Sequence, residues 1–146
     1  MGRWGHHPLD NDTAADFSGD LDAAPESSRI EMLRAALSSV ARSGGAYIDG
    51  GRAEVAIAAA AIAASNLVGG EEFQSEVWGP ECDMPRVPRD VVLLAAEVID
   101  LLLNGDNDVK DDWSGDPGGA EWFAMMRRLH RVLAGGDSAT PAGQLW

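Results

Sequence analysis

The stretch Glu54-Val-Ala-Ile-Ala-Ala-Ala-Ala-Ile-Ala-Ala-Ser-Asn-Leu-Val68 decides how the rest of the chain must be arranged. Alanine is the best helix former and loses almost no side-chain entropy on folding. Val55, Ile57, Ile62, Leu67 and Val68 fall on several sides of such a helix, which has no polar face before Ser65 and Asn66. A helix that is apolar all round is buried all round, and its small side chains let neighbours come close. The unbroken run from Val55 to Ala64 is ten residues, about half of what a bilayer crossing needs. The stretch therefore reads as the central rod of a helical bundle.

Elements that can surround this rod lie on both sides of it. Asp10-Asn11-Asp12-Thr13 is a helix start, with Asn11 or Asp12 capping the first turn and acids suiting the positive end of the helix dipole. The helix it opens runs to about Asp22, with Ala15, Phe17 and Leu21 inward. Pro25 restarts a second helix over about Glu26 to Arg42, where Ile30, Leu33, Leu37 and Val40 recur at helical spacing. Beyond the rod, a loop from Glu71 to about Pro88 carries Phe73, Trp78 and Cys82, too many large apolar groups for a free linker. A fourth helix follows from about Arg89 to Asn104, with Val91, Leu94, Val98, Leu101 and Leu102 as its inner stripe. After a short turn holding Val109 and Trp113, the last helix spans Ala120 to Ala134, with Trp122, Met126 and Leu129 inward and Arg127, Arg128 and Arg131 outward. Five Gly-Gly pairs fall at the boundaries of these segments. No internal repeat and no strand-like alternation stands out. The expected fold is all-α: one domain over residues 1–146, a bundle of about five helices around the Ala-rich rod. Residues 1–9 form a tail anchored by Trp4, and 135–146 a second tail.

Composition narrows the function classes. The chain has 146 residues, 45% of them apolar, and a net charge of −13. That charge disfavours nucleic-acid phosphates and anionic membrane surfaces as partners. A single cysteine, Cys82, leaves no disulfide framework and no four-cysteine zinc site. Met1-Gly-Arg-Trp-Gly leads into His6-His7 and then acids, without an apolar signal segment, so a cytoplasmic location is expected.

Gly2-Arg3-Trp4-Gly5, followed by Pro8-Leu9-Asp10-Asn11-Asp12-Thr13-Ala14-Ala15-Asp16-Phe17, resembles the opening signature of a bacterial family, domain of unknown function 4259. The second helix, the Ala-rich helix and the Glu121-Trp122…Leu129…Leu133 segment are similar to its later parts. His6-His7 replace small residues usual there, and Ala61 stands where many relatives carry an acid. The resemblance implies a compact cytosolic helical domain, with Trp4, Asp10, Asn11, Asp12, Asp16 and Phe17 as its structural motif, and it implies no activity.

Candidate chemistry was weighed on spacing. His6 and His7 with Asp10, Asp12 and Asp16 put imidazoles and carboxylates close together, the basis for an alternative reading as a metal-binding protein or enzyme. The paired helical spacings of ordered zinc or iron sites, such as His-x-x-x-His, are absent. Calcium loops begun at Asp10 or Asp106 lack the glycine at the sixth position, which is Ala15 or Asp111, and the closing glutamate. Acids on either side of Cys82 disfavour its thiolate. Ser65 reads as helix-bonded, and His130 as part of a basic surface with Arg127, Arg128 and Arg131. No metal, cofactor or catalytic group is expected. The remaining signal is surface charge: Asp10 to Asp22, and Asp106, Asp108, Asp111 and Asp112 around Trp113. With Trp78 and Trp113 as exposed aromatic anchors, the second cluster suits a basic protein partner, as in immunity proteins or inhibitors. The competing reading is that the acids only keep the protein soluble.

Overall fold

The computed structural model describes residues 7–44, 46–74, 79–80 and 86–135. Six helices account for most of them: α1 (Asp12–Ala23), α2 (Glu26–Ala41), α3 (Gly50–Ala64), α4 (Arg89–Asn104), α5 (Asp108–Ser114) and α6 (Gly119–Gly135). A 3₁₀ turn, Glu71–Phe73, follows α3. The fold is all-α, as the periodicity implies. α3 packs against each of the other five helices and against the 3₁₀ turn. Every residue from Ala56 to Ala64 is buried. Around this rod α2, α4 and α6 form the main wall, with Leu33, Leu37, Val40, Val91, Val98, Leu102, Met126, Leu129 and Leu133 closed off from solvent.

The rod is displaced by four residues at each end from the expected Glu54 to Val68. It starts at Gly50 because Asp49 caps it: the Arg52 amide donates to Asp49 Oδ2 at 3.2 Å. It stops at Ala64 because the backbone tightens there. The Ser65 hydroxyl donates to the Ile62 carbonyl (2.7 Å), and the Leu67 amide donates to the Ala64 carbonyl (2.9 Å). Leu67 remains buried within this turn, whereas Val68 turns out to solvent. Gly69 takes a left-handed conformation, φ +85°. Gly70 is needed for space instead: a Cβ there would stand 1.8 Å from the Ala64 carbonyl oxygen.

Two inward assignments and one helix start are corrected. In α1 the buried stripe is Ala14, Phe17, Ser18 and Leu21, so Ala15 sits at its edge and is half-buried. In α4 Leu101 is exposed; Val91, Ala95, Val98 and Leu102 define a face that turns it outward. Pro25 is the cap of α2, not its first residue. α1 ends against α2, where Arg29 donates to the Leu21 and Ala24 carbonyls at 3.0 Å each, placing a cation on the negative end of that helix. The 3₁₀ turn seats Phe73 fully in the core, as expected of that loop, and Glu72 beside it pairs with Arg128 of α6 (3.0 Å). Trp4, His6, Trp78, Cys82 and residues 136–146 lie outside the described residues.

Candidate functional site

Two capping units of the same design frame the bundle. Asn11 precedes α1 and Asn107 precedes α5, with backbone angles of −157°, 161° and −158°, 160°. Each Oδ1 accepts the amide three residues on, from Ala14 at 2.7 Å and from Lys110 at 2.9 Å. Each Nδ2 donates backwards, to the Pro8 carbonyl (3.3 Å) and to the Leu102 carbonyl (2.9 Å). Both asparagines are buried, so their amides are satisfied inside the protein. The sequence around them is matched: Asp10-Asn11-Asp12 with Asp16-Phe17, and Asp106-Asn107-Asp108 with Asp112-Trp113. The chain, expected to hold no internal repeat, thus carries this short local echo.

The second unit organises an acidic face. Asn107 forms an isolated parallel bridge with Ile48, whose amide donates to the Asp106 carbonyl (3.3 Å) while its carbonyl accepts the Asp108 amide (3.1 Å). The linker before α3 is thereby tied to the start of α5. Tyr47, half exposed, reaches across it: its hydroxyl donates to Asp108 and lies 2.9 Å from Asp111 Oδ2. The second oxygen of Asp108 accepts the Gly50 amide (2.9 Å), so this carboxylate also serves the first turn of α3. The positive end of that helix dipole offsets part of the local negative charge. The Asp108 hydrogen bond holds the tyrosine pKa well above its ordinary value, and Asp111 acts in the same direction. Beside the linker lies a cleft of about 180 Å³, whose lining includes Ala46, Ile48, Leu101, Glu97 and Asp106.

Of the expected cluster Asp106, Asp108, Asp111 and Asp112, the second and third meet a different aromatic, Tyr47. Trp113 is buried, only 8% exposed, and cannot serve as an exposed anchor. Val109 and Trp113 are one helical turn apart on the inner face of α5. The indole stacks on Trp122 of α6, with ring centroids 6.1 Å apart and planes 7° from parallel. The seven-residue α5 is too short to reveal by periodicity which of its faces points inward. Tyr47, on the linker before α3, takes the place beside these acids that was expected of Trp113. Its signal is that it is the chain's one tyrosine, set two residues before the capping Asp49.

Of the N-terminal residues weighed for metal binding, His7 is otherwise engaged. His7 Nδ1 accepts the Leu9 amide (3.1 Å), which fixes the proton on Nε2, and Nε2 donates to the Glu72 carbonyl (2.8 Å). Asp12 and Asp16 are exposed on α1, Asp10 is half-buried, and Phe17 enters the core. Among the described residues no three His, Cys, Asp or Glu side chains are grouped so as to hold a metal ion. Nor is any described helix long and apolar enough to cross a membrane.

Comparison with known proteins agrees with the opening motif. The family model described as "Domain of unknown function (DUF4259)" matches residues 2–125, and the chain belongs to that family. No curated protein and no solved structure matches it.

Proposed function

We propose that this member of the DUF4259 family is a non-catalytic, cytoplasmic interaction protein that masks a basic protein partner, in the manner of an immunity protein or inhibitor. The observation that carries the reading is Tyr47, half exposed and held between Asp108 and Asp111 beside the cleft that Glu97 and Asp106 help to line. A lysine or arginine from the partner has both of its needs met there. Its aliphatic stem lies over Leu101 and Ile48, and its charged head meets carboxylates. Tyr47 supplies a rigid aromatic surface already oriented by its hydrogen bonds, which lowers the entropy lost on binding. The net charge of −13 steers a basic partner toward the surface and hastens encounter.

The test is retention of a partner from the native host at low salt, compared with a doubly reversed variant, Asp106→Lys with Asp111→Lys. Both side chains are exposed, so the variant is expected to keep its melting temperature. The proposal requires a basic protein that binds the wild type, dissociates as salt rises, and is lost with the variant. If no basic protein is retained, or the reversed variant retains it equally, the reading is wrong.

A further inference from the structure

The opposite flank of α4 carries a site of the other sign. Between α4 and α6 runs a groove of about 480 Å³, lined by Asp100, Leu103 and Asn104 on one wall and Phe123, Arg127, His130 and Arg131 on the other. The chain has 24 acids against 11 lysines and arginines, so an open cation is uncommon on it. Arg34 pairs with Glu31 and Asp90, Arg52 with Asp49, and Arg128 with Glu72. Arg127 and Arg131 have no carboxylate partner among the described residues, although Asp100 lines the same groove. Asp100 instead accepts from Asn104 Nδ2 at 3.0 Å. Arg127 lies over the Phe123 ring, its guanidinium carbon 5.9 Å from the centroid. Phe123 is itself locked edge-on against Trp122, with centroids 4.8 Å apart and planes at 82°.

We infer that this groove binds a small aromatic phosphomonoester. Arg127 and Arg131 are one helical turn apart, so their guanidinium groups can straddle one tetrahedral dianion. The planar fork of arginine matches phosphate oxygens two at a time. His130, between them in sequence, adds a third donor to the same wall. Leu103 and Phe123 form the apolar part of the groove and take the ring of the ligand. Asp100 and Asn104 line the facing wall on α4. The volume falls within the range of small-molecule sites, about 300–1,000 Å³. The site does not depend on the acidic face: it uses no residue of that face and no protein partner.

Calorimetric titration with phenyl phosphate at low salt tests the assignment, with inorganic phosphate as the comparator. The expected result is saturable binding of phenyl phosphate, with inorganic phosphate at least about tenfold weaker for want of the ring contact. The variant Arg127→Gln with Arg131→Gln removes two exposed cations and is expected to melt like the wild type while losing at least about tenfold in affinity. Arg42→Gln, outside the groove, is expected to bind as the wild type does. The assignment is overturned by the absence of saturable binding, by binding that the double variant keeps, or by equal affinity for inorganic phosphate.

Discussion

Tyr47 is a single residue on which the acidic face can be read directly, because no other tyrosine absorbs in its place. Its hydrogen bond to Asp108 favours the neutral phenol, so its titration is expected to lie above the ordinary midpoint of about 10. The sign for stability follows. The raised pKa in the folded state contributes stability that is complete below the unfolded value and is lost as pH rises through the folded one. Asp108→Asn is expected to bring the phenolate absorbance titration back toward the ordinary midpoint; an unchanged midpoint would show that the carboxylate is not the cause. Asp49 and Asp90 have the opposite sign: their arginine partners hold both carboxyls below the usual carboxylate range. Their contribution is present above that range and fades as pH falls through the lowered values. Ser18 is a different case, buried in α1 with no partner for its hydroxyl among the described residues. Ser18→Ala removes a stranded polar group and is expected to stabilise by about 1 kcal/mol in chemical denaturation.

The elements differ in how far sequence reveals them. The bounds of α2, α4 and α6 agree with expectation to within a residue or so, because each has a long apolar stripe and a proline or glycine at an end. α3 was found but misplaced, since Gly50 and Gly51 read as a break although Asp49 makes them a first turn. α5 was seen only as a turn, and Trp113 was turned outward, because seven residues do not define a face. Trp113→Ala is accordingly expected to cost about 3–5 kcal/mol in stability, as a core deletion. Glycines divide by what surrounds them. Gly70→Ala forces a methyl into the Ala64 carbonyl and is expected to lower the melting temperature clearly. Gly19, inside α1 with open space around it, is expected to gain about 0.5–1 kcal/mol on replacement by alanine. Ala60→Arg buries an unpaired charge at the centre of α3 and is expected to abolish cooperative unfolding.

At the scale of the molecule, charge was legible and its placement was not. The −13 total and the run from Asp106 to Asp112 are visible in any reading, but the partner of those acids, Tyr47, is 64 residues before Asp111 and meets it only through the Ile48–Asn107 bridge. The groove on α6 was equally hidden. Arg127, His130 and Arg131 read as an ordinary basic surface until α4 supplies the facing wall. Both sites need two elements distant in the chain, and periodicity describes only one element at a time.

The alanine rod sets a limit on how the interior of this chain can be reshaped. Where a core is built of leucines and phenylalanines, trimming one of them opens a hollow that later substitutions can shape into a binding chamber. Along most of α3 the space is filled instead by alanine methyl groups and backbone, and trimming alanine yields only glycine, which weakens the rod itself. An internal chamber must therefore come from the walls around the rod, where Leu33, Leu37, Leu102, Met126 and Leu129 offer volume to remove. Trimming those walls is expected to open space that trimming the rod does not.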